Sequence, residues 1–207
     1  MAQIQIESVL DPLDDPELVV FGVEALKLAE AMGLLPADES VHELVLPAMR
    51  RVAGLVGEAG IGTTAAATLA RARPSRAQVL EALRSLVDAL EESPSPRSEW
   101  PALTEMLEPE RLGILLGVSL SSVRRYATGS RPTPDEVARR LHFVAKVVAD
   151  LLGAYNAAGV RRWFERPRRV LGGRRPADVL AGPWDPDEDG PRSVRALARS
   201  LVGGTAT

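Results

Sequence analysis

One stretch constrains this chain more than any other. Glu108 to Leu141 reads EPERLGILLGVSLSSVRRYATGSRPTPDEVARRL. A first short helix carries Leu112, Leu115 and Leu116. Gly117 follows, where a chain turning sharply between two helices needs a residue that accepts a positive φ. Val118 plugs the turn. Ser119 suits the N-cap of a second helix, because its hydroxyl accepts a backbone N–H that would otherwise lack a partner. In that second helix Val123 and Tyr126 face inward. Leu120, Ser121, Ser122, Arg124 and Arg125 are left mostly outward. Gly129 stops the helix.

Two helices of this kind, followed by a further packing helix, form a helix-turn-helix. The outward residue types suit a recognition helix: serine hydroxyls reach bases or phosphates, and arginine contacts guanine through two hydrogen bonds. An ordinary helical hairpin with a solvated basic face is the competing reading. Turn glycine, cap, inward valine and stop glycine agree in register, which favours the DNA-binding form. The candidate DNA-contacting residues are Ser119, Leu120, Ser121, Ser122, Arg124, Arg125, Thr128 and Arg131. Of these, Ser121 and Arg124 are placed to read bases, and Arg125 and Arg131 to hold phosphates. Through Leu112, Leu116–Gly117–Val118–Ser119, Ser122–Val123, Arg125–Tyr126 and Gly129, the stretch resembles the Xre (Cro/repressor-like) family. That family usually carries alanine where Gly113 stands and tryptophan where Tyr126 stands.

Charge supports the same placement. The chain has 207 residues and a formal net charge of −3. Residues 1–110 hold 8 Lys+Arg against 19 Asp+Glu, residues 111–175 hold 14 against 4, and residues 176–207 hold 3 against 5. A basic middle bearing a helix-turn-helix is what a phosphate-binding surface requires. The acidic N-terminal half is expected to face away from DNA. The chain has no cysteine, which excludes disulfides, thiolate catalysis and Cys-based metal sites. No basic-then-apolar leader and no 18-residue apolar run occurs, so a cytoplasmic protein without a membrane span is expected.

No segment reads convincingly as alternating with period two, so the chain is expected to be all-α. Residues 1–14 read as an extended or loosely packed arm. Asp15–Pro16–Glu17 opens a helix running to about Gly33. A second helical stretch is expected from about Ser40 to Glu58, kinked or restarted at Pro47. Gly57 to Thr64, GEAGIGTT, lacks the lysine of a phosphate-binding loop and follows no strand, so it reads as a connection between helices. Ala65 to Arg73 is a short helix. A capping box at Ser75–Arg76–Ala77–Gln78 starts an amphipathic helix with Val79, Leu80, Leu83, Leu86, Val87 and Leu90 on one stripe, read as core before dimer seam. Ser93 to Ser98, SPSPRS, reads as the linker. Thr133–Pro134–Asp135–Glu136 is a second capping box, opening a long helix expected to end near Gly159 with a weak point at Gly153. Three segments result: a helical N-terminal region of unknown role at 1–97, the helix-turn-helix domain at 98–155, and a small helical domain at 156–207.

The last segment has its own pattern. Val160, Trp163 and Phe164 form a short apolar helical face, Pro167 breaks it, and Leu171–Gly172–Gly173 makes a tight turn. Pro176 begins a helix with Val179 and Leu180, and a final helix carries Val194, Leu197 and Leu201. The spacing W-x3-P-x3-L-G-G-x2-P-x3-L, with Asp189–Gly190 to Leu197 after it, resembles the toxin-binding domain of Xre/MbcA/ParS-type antitoxins. That family usually carries Thr or Ser where Arg175 stands. The resemblance spans about Leu103 to Gly204. It implies an antitoxin that neutralises a RES-type, NAD-consuming toxin and represses its own operon. No cofactor is expected, and a homodimer on DNA is expected because one short recognition helix covers only a few base pairs. Arg161, Arg162, Trp163, Arg166, Arg168 and Arg169 are the candidate toxin-binding residues, being types enriched at interface hot spots. Trp163 and Phe164 also suit the core of so small a domain. The alternative is a stand-alone helix-turn-helix regulator. An enzyme fits poorly, since His42 and His142 are isolated in sequence and no carboxylate cluster has ligand spacing.

Overall fold

Eleven α-helices build most of this chain in the computed structural model, which describes residues 3–203. The chain divides into two units, Met1–Pro94 and Ser95–Thr207. Segments 98–155 and 156–207, expected as separate domains, both fall in the second unit. Only Ser93, Pro94 and Ser95 of the expected linker are non-helical. A helix starts at Pro96, where proline's missing N–H costs nothing.

The first unit corrects the all-helical reading. Of the arm expected at 1–14 to be extended or loosely packed, residues 3–9 are extended and paired: β1 (Gln3–Val9) runs parallel to β2 (Ser40–Leu44), Ile4 opposite Val41 and Val9 opposite Leu44, with an irregularity between Ile4 and Ser8. Gln5 and Glu7 are exposed while Ile4 and Ile6 are partly covered, the alternation a one-faced strand needs. A parallel pair requires a crossover, supplied by α1 (Pro16–Ala31). Asp15 caps α1 by accepting from the Glu17 N–H at 2.9 Å.

The helix expected from Ser40 therefore starts later, as α2 (Leu46–Glu58), and Pro47 lies in its first turn rather than at a kink. The glycine-rich stretch links α2 to α3 (Thr63–Leu69), with Gly60 at φ 83° and Gly62 at φ 60°. In α4 (Arg76–Glu92) the capping box is complete: Ser75 Oγ accepts from Gln78 N at 3.3 Å, and Gln78 Oε1 accepts from Ser75 N at 2.9 Å. Its apolar stripe packs on α1 and α3. Val79, Leu83, Leu86, Val87 and Leu90 are buried within this unit, and Leu80 is partly so.

The second unit runs α5 (Pro96–Leu107), α6 (Pro109–Leu116), α7 (Leu120–Ala127), α8 (Asp135–Leu151), α9 (Ala157–Glu165), a 3-10 turn at Arg169–Leu171, α10 (Pro176–Val179) and α11 (Asp189–Gly203). The central helix is α8, packed against α5, α6 and α11, with Leu141, Val144, Val147, Val148 and Leu151 fully buried. Two expectations about α8 are corrected. Thr133 does not cap it. The Thr133 hydroxyl accepts instead from Trp100 Nε1 at 2.9 Å, and Pro134 occupies the cap position. The helix also stops well before Gly159. Gly153 adopts φ 92°, and Asn156 caps the new helix α9 by accepting from Gly159 N at 2.9 Å.

Candidate functional site

The turn between α6 and α7 can be followed bond by bond. A helix leaves its last four carbonyls without intrahelical partners. In α6 those belong to Gly113, Ile114, Leu115 and Leu116. Gly113 accepts from Val118 N at 3.0 Å and Ile114 from Gly117 N at 3.2 Å, the paired closure that a left-handed residue after a helix allows. Gly117 has φ 66°. The other two carbonyls are met from far along the chain: Leu115 accepts from Trp184 Nε1 at 2.8 Å, and Leu116 from Arg140 at 3.0 Å. An alanine Cβ at Gly113 would lie 2.9 Å from the Val118 carbonyl oxygen. That close approach explains glycine at this buried helical position, despite its lower helix propensity.

From this turn α7 projects with a sharply divided surface. Val123 and Tyr126 are buried; Ser121, Arg124, Arg125 and Thr128 are exposed; Leu120 and Ser122 are half-buried. Trp100 stacks on Tyr126 with ring centroids 5.4 Å apart, fixing the helix on α5. Ser119 is committed to the cap, accepting from Ser122 N at 3.2 Å, and its hydroxyl is also bonded to those of Ser121 and Ser122. Arg125 Nε donates to the Ser121 carbonyl at 3.2 Å. Thr128 turns its hydroxyl to the Arg124 carbonyl at 3.0 Å. The exposed Arg131 guanidinium lies 5.6 Å from the Tyr126 ring centroid. No acidic residue occurs from Leu112 through Pro134, so nothing within this segment neutralises Arg124, Arg125 and Arg131.

The expected partner-binding residues sit on α9 and just after it. Trp163 and Phe164 are fully buried and meet edge-on at 5.2 Å, so both are core. Arg161 is turned inward, donating to the Met106 carbonyl at 2.9 Å. Arg162, Trp163, Arg166 and Arg168 come together around one small cavity. Arg169 is exposed beside Val170, itself 74% exposed. At α10 no serine or threonine stands at the cap position, Arg175, and the bonds run from the other side. Asp178 accepts from the Arg175 backbone N at 3.2 Å and from its guanidinium at 2.9 and 2.6 Å. Those bonds hold the Asp178 carboxyl below the usual carboxylate range.

Sequence reasoning singled out neither Trp184 nor Arg139 and Arg140. Trp184 lies edge-on to Phe143 at 5.2 Å, and Arg140 also donates to the Trp184 carbonyl at 2.9 Å. Arg139 forks onto Asp185 at 3.1 and 3.2 Å and reaches Asp187 at 3.2 Å. The backbone N–H of Asp187 and the Arg139 guanidinium keep the Asp185 carboxyl below its ordinary range. A signal was present in Pro183–Trp184–Asp185–Pro186, a lone aromatic in an acidic loop, which predicts an anchored loop. His142, isolated in sequence from any other histidine, is buried with its Nδ1 at 2.6 Å from Glu99 Oε1.

Compared with known proteins, the chain matches no family model, no curated protein and no solved structure.

Proposed function

We propose that the second unit binds double-stranded DNA through the exposed face of α7 and a protein partner through the basic surface of α9 and the turn after it. In full, the reading is an antitoxin that neutralises a RES-type, NAD-consuming toxin and represses its own operon as a homodimer. One observation carries the DNA half: Ser121, Arg124, Arg125 and Thr128 stand exposed on a capped helix, in a segment free of acidic residues. Arg124 is the sharpest candidate for base reading, because the turn contacts that occupy Arg125 and Arg131 leave it out. The partner half rests on the resemblance of the Trp/Pro/Gly-Gly spacing and on the exposed cations at Arg162, Arg166 and Arg169.

Gel shifts on the upstream operator and on scrambled DNA test the first half. Arg124→Ala should cost ~1–3 kcal/mol on the operator and relax sequence preference. Equal loss on both DNAs removes the base-reading assignment. The partner half is tested with the full chain, because Trp184 and Arg140 tie the C-terminal loop to α6. Co-expression with the neighbouring gene product should give a complex that Arg166→Glu weakens without changing the thermal melt. If the intact full chain binds no such product, the stand-alone regulator takes the antitoxin's place.

A further inference from the structure

Two cavities in the second unit contrast in charge. The larger, about 320 Å3, is lined by Arg139 and Arg140 but also by Glu136, Asp185 and Glu188. Its cations are already engaged, Arg139 by Asp185 and Asp187 and Arg140 by Glu136 at 3.7 Å. The smaller, about 120 Å3, is lined by Tyr155, Gly159, Arg162, Trp163, Arg166 and Arg168. It has no acidic residue in its wall. The nearest acid in sequence, Glu165, is spent on Arg111 and Arg175, each at 3.2 Å.

Two residues of this lining, Trp163 and Arg168, also carry buried donors without acceptors. Trp163 Nε1 and Arg168 Nε are both buried and make no hydrogen bond. The other two tryptophans each satisfy their N–H, Trp100 at Thr133 and Trp184 at Leu115. Buried polar groups are overwhelmingly paired, so orphaned donors on two lining residues mark this part of the fold as short of an acceptor. The Arg168 guanidinium lies 5.5 Å from the Trp163 ring centroid, which holds its fork beside the indole.

We propose that this pocket receives a carboxylate, the side chain of an acidic residue on a protein partner. Its charge calls for an anion. Guanidinium forks match a carboxylate's two oxygens. Its volume of about 120 Å3 is too small for cofactor-sized ligands, which occupy roughly 300–1,000 Å3. A recessed site of this size admits a group that terminates, as a glutamate side chain does. A phosphodiester continues into chain on both sides and is excluded. The proposal deepens the partner-binding half of the function above and rests on it for the identity of the partner, while the pocket's chemistry is testable without that partner.

The three indole N–H groups give a direct readout. The full chain, labelled with 15N, should show three indole resonances, and Trp163→Phe assigns one of them. A capped hexapeptide carrying two glutamates is titrated at constant ionic strength, with its glutamine counterpart, acetate and inorganic phosphate as parallel arms. The glutamate peptide should shift the Trp163 resonance downfield, saturably, and leave those of Trp100 and Trp184 in place. Arg168→Gln and Arg162→Gln should each weaken that binding about tenfold or more, the loss of a charge-assisted hydrogen bond, with the other two resonances again unmoved. No saturable shift, or an equal shift with the glutamine peptide, overturns the proposal. Saturation by phosphate alone makes this a phosphate site and overturns it too, as does acetate binding as tightly as the peptide, which makes it a pocket for free acids. Saturation by the peptide in a chain that captures no neighbouring gene product leaves the pocket standing and removes the antitoxin reading.

Discussion

Gly117→Ala is the most informative single change in the α6–α7 turn. Two penalties coincide there. Gly117 sits at φ 66°, and an alanine Cβ would lie 2.5 Å from the Gly182 carbonyl oxygen and 2.7 Å from its carbon. The left-handed backbone alone costs about 1–2 kcal/mol for a residue with a Cβ. The clash is with backbone, so no side chain can swing aside. The 182–187 loop must move, at ~1–3 kcal/mol for overpacking. Its movement pulls Trp184 off the Leu115 carbonyl, worth ~1–3 kcal/mol if that carbonyl stays buried. Allowing for overlap, the loss should be about 3–5 kcal/mol. Gly129→Ala is the control, because Gly129 has φ 69° and nothing within 4 Å of the added Cβ. It should cost only the backbone term, about 1–2 kcal/mol. All three tryptophans, Trp100, Trp163 and Trp184, lie in Ser95–Thr207, so denaturant unfolding followed by indole fluorescence reports this unit alone. Equal losses at the two glycines would refute the argument that the 182–187 loop braces the turn.

Three further outcomes are expected. Trp184→Phe keeps most of the ring but removes the donor to Leu115; it should cost ~1–2 kcal/mol in denaturant unfolding followed by circular dichroism, and parental stability would show the bond to be idle. Glu108 is the only non-glycine residue with positive φ among those described, at 68°, and its carboxylate contacts Arg111 at 3.2 Å and Arg161 at 3.7 Å. Glu108→Gly should stabilise by ~1 kcal/mol, since exposed ion pairs contribute less than the strain relieved, whereas Glu108→Ala should not. In the first unit, burial pushes the Glu30 carboxyl up to about 7 from its ordinary 4.5. The folded state favours the neutral form, so the unfolded chain releases its proton first and stability falls as pH rises through 4.5 to 7. Discounted for partial exposure, the loss is about 1 kcal/mol; Glu30→Gln should recover it at pH 8 and change little at pH 4, and a pH-independent gain would contradict the assignment.

Local chemistry determined much of this protein. Asp15, Ser75, Ser119 and Asn156 each accept the backbone N–H that a helix start leaves free, and such caps are written within four residues of sequence. The same holds for Gly33, Gly117 and Gly129, whose positive φ ends a helix, and for the spacing that buries Val123 and Tyr126 while exposing Ser121, Arg124 and Arg125. The candidate DNA face was therefore legible in the order of residues alone. The first strand was nearly so: Gln3 to Glu7 alternates, but a single short strand has no meaning until a partner is found, and Ser40–Leu44 is more than thirty residues away.

What only the tertiary structure decided are the pairings of groups distant in sequence. Thr133 had the residue type and spacing of a cap, yet its hydroxyl is taken by Trp100. Arg161 and Arg162 are neighbours of identical type, yet one is bound to the Met106 carbonyl and the other lines an unpaired cationic pocket. Gly113 lacks a side chain for a reason that lies in the Val118 carbonyl beside it. The last two carbonyls of α6 find their donors in Trp184 and Arg140, so the turn that presents α7 is completed in part by Trp184, from the segment expected to fold as a separate domain. Sequence specifies which backbone groups a helix leaves unsatisfied; which distant side chain satisfies them depends on the packing of the whole unit.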